Sequence, residues 1–325
     1  MQKRKIGNSD LEVFPIGLGT MGMSEFYGET NDAQSIETIH KAIDLGVTLF
    51  DTADMYGTGH NETLVGKALK GKFDKVTLAT KFGVVRDKES GARMGVCGKP
   101  AYVRQACEAS LKRLGTDIID LYYLHRVDPD TPIEETVGAM AELVKEGKVR
   151  YIGLSEVKGS TLKKANAIHP ITAVQSEYSI WTRDIESANL SECRELGIST
   201  VAYSPLGRGI LTGKLTGASD PKDYRAHMPR MSEENLEKNK EIIKRIEEIA
   251  EAKNAKASQI ALAWLLHRGE DIIPIPGTKR EKYLIENIEA VNVSLTEDEM
   301  NELNKLSDLV AGDRYDEAGM TLTLQ

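Results

Sequence analysis

Cysteine is scarce in this sequence: three residues in 325, at Cys97, Cys107 and Cys193, with no C-x-x-C pair. So odd and sparse a set argues against a disulfide framework, a thiol-redox motif or a structural zinc site. It suits a reducing compartment, and a cytoplasmic location is expected. Long apolar runs are missing too. The longest helical apolar stretch, 260-IALAWLLH-267, is far too short to cross a bilayer, and MQKRKIGNSD lacks the apolar segment of a secretory leader, so no membrane partner is expected. Basic residues do not dominate: the net charge is −8. No nucleic-acid partner is expected, and an anionic ligand needs a local basic pocket. The histidines (His40, His60, His125, His169, His227 and His267) form no H-x-H or similar ligand pair, which speaks against a metal-dependent barrel hydrolase, and no metal site is assigned.

What is present is an ordinary globular composition, 40% hydrophobic and 28% charged. Eight short apolar segments read as buried parallel strands: 13-VFPIGLG, 47-VTLFD, 76-VTLATK, 118-IIDLYYLH, 149-VRYIGLS, 171-ITAVQSEY, 198-ISTVAYS and 271-DIIPIPG. Amphipathic helices lie between them. One over 32–45 starts after Asn31 and stops at Gly46; another, over 132–146, starts with 131-TPIE-134, a capping box with Pro in the first turn. Further helices are expected near 61–70, 100–114, 158–168, 184–196, 232–253 and 256–268. Eight strand–helix repeats predict an α/β fold, a (β/α)8 TIM barrel. The surplus length predicts an N-terminal hairpin in 1–14, extra helices, and a long Gly- and Pro-rich loop over 204–231. No linker divides the chain, so one domain over 1–325 is expected, with its core at about 4–308 and a poorly ordered tail at 309–325.

The stretch 17-GLGTMG-22 matches the G-x-G-x-x-G pattern of dinucleotide-binding Rossmann units. That pattern needs a helix directly after the third glycine and an acid about 20 residues on. Here 23-MSEFYGETN-31 intervenes and Asp51 comes too late. A sharp turn at the top of the first barrel strand explains the glycines better.

In such barrels functional side chains gather at the C-terminal ends of strands. The second strand ends at Asp51, with Tyr56 just beyond in 52-TADMYG-57; the third ends at Lys81 and the fourth at His125. Singly, each has an ordinary role: a turn cap, loop packing, a solvated charge, a core histidine. Together, on one rim, they suit proton transfer to a carbonyl oxygen. A tyrosine has a reference pKa of about 10, and an adjacent ammonium favours its phenolate. Asp51 would hold Lys81 charged and aimed, His125 would donate to a substrate oxygen, and Tyr56 would protonate the alkoxide left by hydride addition.

Seven separated segments carry a family resemblance: 49-LFDTADMYG-57, 79-ATKFG-83, 121-LYYLHRVD-128, 150-RYIGLSE-156, 174-VQSEYS-179, 202-AYSPLGRG-209 and 274-PIPGTKR-280. In this order and spacing the chain resembles the aldo-keto reductases from about residue 4 to 290. It is most similar to the branch related to potassium-channel β subunits. The resemblance implies a (β/α)8 barrel that uses NADPH/NADP+ to reduce aldehydes and ketones, with a small-molecule carbonyl substrate as partner. It implies Asp51, Tyr56, Lys81 and His125 as the catalytic residues. The oligomeric state is left open.

The loop 276-PGTKRE-281 follows the eighth strand and leads into a helix whose N-terminal N–H groups favour an anion. Gly277, Thr278, Lys279 and Arg280 form this cradle, and two cations against the helix dipole call for an anionic partner. The resemblance makes that partner the 2′-phosphate of NADPH. It further carries Glu286 and Asn287 to the adenine, Ser155 and Gln175 to the nicotinamide carboxamide, and Tyr203 to the ring face. Ser204, Leu206, Gly207 and Arg208 match the loop along the pyrophosphate. One departure stands out: many relatives have Asn where this chain has Glu156, and a carboxylate cannot donate to the carboxamide oxygen.

For the substrate pocket, Met23, Phe26, Tyr27, Met55, Phe82, Arg126, Trp181 and Arg225 are candidates from rim loops. Arg126 beside His125 suggests a preference for carboxylate-bearing substrates. The length and glycines of 204–231 fit a lid over the cofactor. An alternative function is an NADPH-binding regulatory protein with little turnover, although the short N-terminus lacks an extended arm for a partner.

Overall fold

The computed structural model describes residues 3–87, 89–215, 217 and 223–324. Its strands, in chain order, are β1 (Arg4–Lys5), β2 (Glu12–Val13), β3 (Leu18–Gly19), β4 (Leu49–Asp51), β5 (Thr77–Phe82), β6 (Val84–Arg86), β7 (Arg93–Val96), β8 (Ile119–Leu124), β9 (Val149–Ser155), β10 (Ala173–Glu177), β11 (Ser199–Tyr203) and β12 (Ile272–Pro274). Eight of them form one parallel sheet in the order β12-β11-β10-β9-β8-β5-β4-β3. Backbone bonds from Gly17 N to Pro274 O (2.9 Å) and Gly19 N to Pro276 O (3.3 Å) join its two edges. The sheet therefore closes into the expected (β/α)8 barrel.

This seam explains the glycines of 17-GLGTMG-22. A Cβ on Gly17 would lie 2.9 Å from the Ile275 side chain, and one on Gly19 would lie 2.9 Å from the Ile275 carbonyl oxygen. Gly17 and Gly19 allow β3 to approach β12 closely, while Gly22 lies in the 3-10 turn Met21–Met23 at the top of the strand, where the sequence predicts a turn.

Alternation along the strands builds two layers. Leu49, Ala79, Leu121, Tyr123, Ala173, Val201 and Ile273 point inward and pack together. Phe50, Leu78, Phe82, Tyr122, Leu124 and Val174 point outward under the helices, with residues such as Ile39, Val65, Val103 and Val137. Below the barrel, β1 and β2 pair antiparallel, and Ile6, Leu11 and Val13 of this hairpin join the inward cluster. A second hairpin, β6–β7, rises from the rim after β5 and was not foreseen.

Most helix signals hold. Asn31 accepts from Gln34 N (3.0 Å) to start the helix Asp32–Asp44, as the sequence predicts. The capping box at 131-TPIE-134 does not form. Thr131 Oγ1 instead donates to Asp128 (2.8 Å), a carboxylate that also accepts from Gly98 N and Asp130 N, and the helix begins at Ile133. The helix expected over 184–196 is broken at Asn189, whose Nδ2 donates to Val157 O at 2.6 Å. In the predicted loop 204–231, residues 216 and 218–222 lie outside the described residues. The rest carries three short 3-10 helices, Gly207–Thr212, Tyr224–His227 and Pro229–Met231. Nor is the tail beyond 308 a loose end. Arg314 and Tyr315 are buried against the barrel mouth, because acidic partners there capture the guanidinium. No described helix is long and apolar enough to cross a membrane.

Candidate active site

The inward set of the strand alternation continues upward to the rim. Asp51 of β4, Lys81 of β5, His125 just past β8, Ser155 of β9, Gln175 of β10 and Tyr203 of β11 all stand on the inner side of the barrel. The register Asp51↔Ala79 and Lys81↔Tyr123 sets their heights, and a bond from His125 N to Phe82 O (2.7 Å) extends the ladder beyond Leu124. β5 runs one residue past Lys81, to Phe82.

Tyr56 enters from above on the short 3-10 turn Tyr56–Gly59. Lys81 Nζ donates to the Tyr56 hydroxyl (3.2 Å), to Asp51 Oδ1 (2.5 Å) and to Thr52 O (2.7 Å). Those three acceptors use all the protons of an ammonium, so its position is over-determined. Gln175 Nε2 holds the other carboxylate oxygen, Asp51 Oδ2, at 2.8 Å. The rings of Tyr56 and His125 meet edge to face at 5.9 Å. All four expected catalytic groups are thus in one constellation, with Lys81 fully buried behind the other three.

Burial decides the electrostatics. It works against the Lys81 ammonium, but Asp51 and Tyr56 outweigh it, and the lysine is held above its ordinary range. Burial also raises Tyr56; the nearby Lys81 charge pulls the other way without prevailing, partly because Asp51 offsets it. The ammonium alone would lower the value, as expected from the sequence; burial reverses the direction. In the free protein Tyr56 therefore keeps its proton. Burial, together with Arg126, Lys81 and Arg93, pushes His125 well below its usual value, so the imidazole is neutral at pH 7. Its Nδ1 is buried without a partner among the described residues.

The constellation opens into a cleft of about 750 Å³ that runs from Tyr56 and His125 to Thr278, Lys279 and Arg280. Asp51, Ser155, Gln175, Tyr203, Ser204, Leu206, Arg208, Gly277, Glu286 and Asn287 also line it. Gly207 does not; it is buried against Trp181. Arg208 lines the cleft with its guanidinium already engaged, donating to Glu177, Tyr315 and Tyr27. Of the pocket candidates, Phe26, Tyr27, Met55, Arg126 and Arg225 line the cleft. Met23, Phe82 and Trp181 are corrected: they are core residues, Phe82 because its position on β5 points outward.

At the far end, the helix Glu281–Ile288 begins after Arg280 with no side-chain cap. Lys279 Nζ rests on the carbonyls of Tyr27 (2.8 Å) and Glu29. Neither Lys279 nor Arg280 forms an ion pair among the described residues. Uncapped N–H groups beside two uncompensated cations fit a phosphate dianion.

Sequence reasoning singled out Glu156 as a departure but not its role. It is fully buried at φ 54°, and its carboxylate accepts from Arg314 Nη1 (3.1 Å) and Nη2 (2.9 Å), Tyr203 OH (2.9 Å) and Glu177 N (2.9 Å). Tyr315 follows into the cleft, its hydroxyl 2.9 Å from that of Tyr203. Arg93 of β7 and Tyr315 were both missed. One sits on an irregular exposed hairpin and the other in a tail without periodicity, so neither position carries a local signal.

Solved structures share this arrangement of the chain. A thermostable aldo-keto reductase, Tm1743, is 32% identical with a TM-score of 0.77, over 94% of this chain and 100% of that one. The glycerol dehydrogenase AKR11B4 from Gluconobacter oxydans is 28% identical, with a TM-score of 0.86 over 97% and 98% of the two chains. The aldo-keto reductase AKR11C1 from Bacillus halodurans, in its holo form, is 29% identical, with a TM-score of 0.79 over 98% and 99%. The model of the aldo/keto reductase family matches residues 15–308, nearly the whole barrel, and the chain belongs to that family.

Proposed function

We propose that the protein reduces aldehydes and ketones to alcohols with NADPH, using Tyr56 as general acid. The observation that carries this reading is the Tyr56 hydroxyl held 3.2 Å from a lysine ammonium that Asp51 and Thr52 fix in place, at the floor of a cleft and beside a neutral histidine. The residues present fit the cofactor. Lys279, Arg280 and the uncapped helix start suit its 2′-phosphate. Glu286 and Asn287 lie beside them for the adenine, while Ser155, Gln175 and Tyr203 line the nicotinamide end. When bound, NADPH supplies the hydride.

The chain's own groups handle the substrate oxygen. His125, neutral, donates a hydrogen bond to it and aligns the carbonyl. Tyr56 keeps its proton until negative charge develops on that oxygen, then gives it up from its hydroxyl. Lys81 stabilises the phenolate left behind, and Asp51 keeps Lys81 charged. Such a positioned acid contributes about 10²–10⁴-fold to the rate. Tyr315 and Arg208, joined by a hydrogen bond of 2.8 Å, line the same cleft as these groups. The reading extends to a cytoplasmic location, where the free thiols of Cys97, Cys107 and Cys193 stay reduced.

The test is a panel of aldehydes and ketones with NADPH, followed as loss of the reduced cofactor. Turnover that Tyr56→Phe removes supports the assignment. Tight NADPH binding with no turnover across the panel would favour the non-catalytic, regulatory reading instead.

A further inference from the structure

Two guanidiniums at the reactive end of the cleft have no direct ion-pair partner among the described residues. Asp51 is matched by Lys81, Glu25 by Arg86, Glu177 by Arg208 and Glu156 by Arg314. Two guanidiniums remain, Arg126 and Arg93, and both line the cleft together with Tyr56 and His125. Neither has a carboxylate within ion-pair distance among the described residues. Asp316, a carboxylate that acts on Arg93, accepts from Gly319 N and caps the turn of helix at Glu317–Met320. Arg126 spends only Nη1 on protein, at His125 O (2.7 Å) and Ser155 Oγ (3.1 Å), which leaves Nε and Nη2 without a described partner.

Like charges brought together in a half-enclosed site raise the local potential and attract an anion. Arg93, exposed on its hairpin, pairs with Arg86, whose guanidinium donates to Met55 O next to Tyr56, and Arg126 directly follows His125, so both residues belong to the reactive end of the cleft. Planar guanidinium forks match a carboxylate. The far end of the cleft, with Lys279 and Arg280, is a separate basic region that the proposed function already assigns to the cofactor phosphate.

We propose that Arg126 and Arg93 form an anion subsite that selects carbonyl substrates carrying a carboxylate. This rests on the proposed reductase function and names its substrate class. A charge-assisted hydrogen bond of this kind corresponds to about tenfold or more in kcat/KM.

The experiment compares 4-carboxybenzaldehyde with 4-methylbenzaldehyde at saturating NADPH, in the unaltered protein, in Arg93→Gln and in Arg126→Gln. The expected result is a preference of about tenfold or more for the carboxylate in the unaltered protein. It falls in Arg93→Gln, falls further in Arg126→Gln, and weakens with added salt. In parallel, calorimetry with 4-methylbenzoate on the NADP+-loaded protein should show binding that Arg126→Gln removes. Equal kcat/KM for the two aldehydes, or a preference that survives both substitutions, would overturn the anion subsite while leaving the reductase intact. If neither aldehyde turns over, the proposed function fails, and the benzoate titration still decides the subsite: binding lost in Arg126→Gln supports it, and no binding overturns it.

Discussion

Glu156, just past the end of β9, and Arg314, in the C-terminal tail, form a buried two-hydrogen-bond ion pair at 3.1 and 2.9 Å. The pair ties the last segment of the chain to the barrel rim, and Tyr203 joins it by donating to the same carboxylate. Removing one partner of a buried pair leaves the other charged and unmatched, which costs about 3–5 kcal/mol. Arg314→Met is therefore expected to destabilise the protein by about that amount, measured by urea unfolding at pH 7. Burial disfavours the Glu156 carboxylate, but Arg314 and Arg126 outweigh it and hold its pKa below the ordinary value of 4.5. A depressed carboxylate contributes stability above its unfolded pKa and loses it as pH falls through the folded one. The gap between Arg314→Met and the unaltered protein should then narrow below pH 4.5; a gap independent of pH would contradict the assignment.

Tyr56→Phe removes the proton donor while leaving the ring against His125. Carbonyl reduction should fall by about 10²–10⁴-fold in kcat. NADPH affinity, measured by fluorescence titration, should change little, because the cofactor's polar contacts are assigned to other residues.

Lys279→Ala with Arg280→Ala strips the cations from the start of the helix Glu281–Ile288. NADPH binding should weaken by about a hundredfold and NADH binding by much less, since only the former carries a 2′-phosphate. Equal losses for the two cofactors would remove the phosphate assignment.

The pH profile of kcat/KM follows the free protein. His125 is already neutral well below pH 6.5, so no inflection is expected between pH 6 and 8. Tyr56 is held above 10, chiefly by burial, so reduction should decline only in strongly alkaline buffer. A clear loss between pH 6 and 7 would mean that the histidine is charged in the working site.

The barrel and its rim were legible because both follow from short-range rules. The rule that functional side chains gather at the C-terminal ends of barrel strands picks out Asp51, Lys81 and His125. Alternation along β5, which that rule does not use, turns Phe82 outward into the core. What stayed hidden depends on distant partners. Thr131 looks like a helix cap until Asp128, fixed by Gly98, competes for its hydroxyl. Glu156 was visible as an oddity, yet nothing nearby points to Arg314. The Tyr56 acidity went the other way because a sequence shows the neighbouring charge but not the burial that opposes it.

The hairpin of β1 and β2 stoppers the barrel from beneath, with Ile6, Leu11 and Val13 driven into the same apolar plug as Leu121 and Ile273. A barrel plugged at its base can be entered only from the opposite rim, the side lined by Tyr56, His125 and Tyr315.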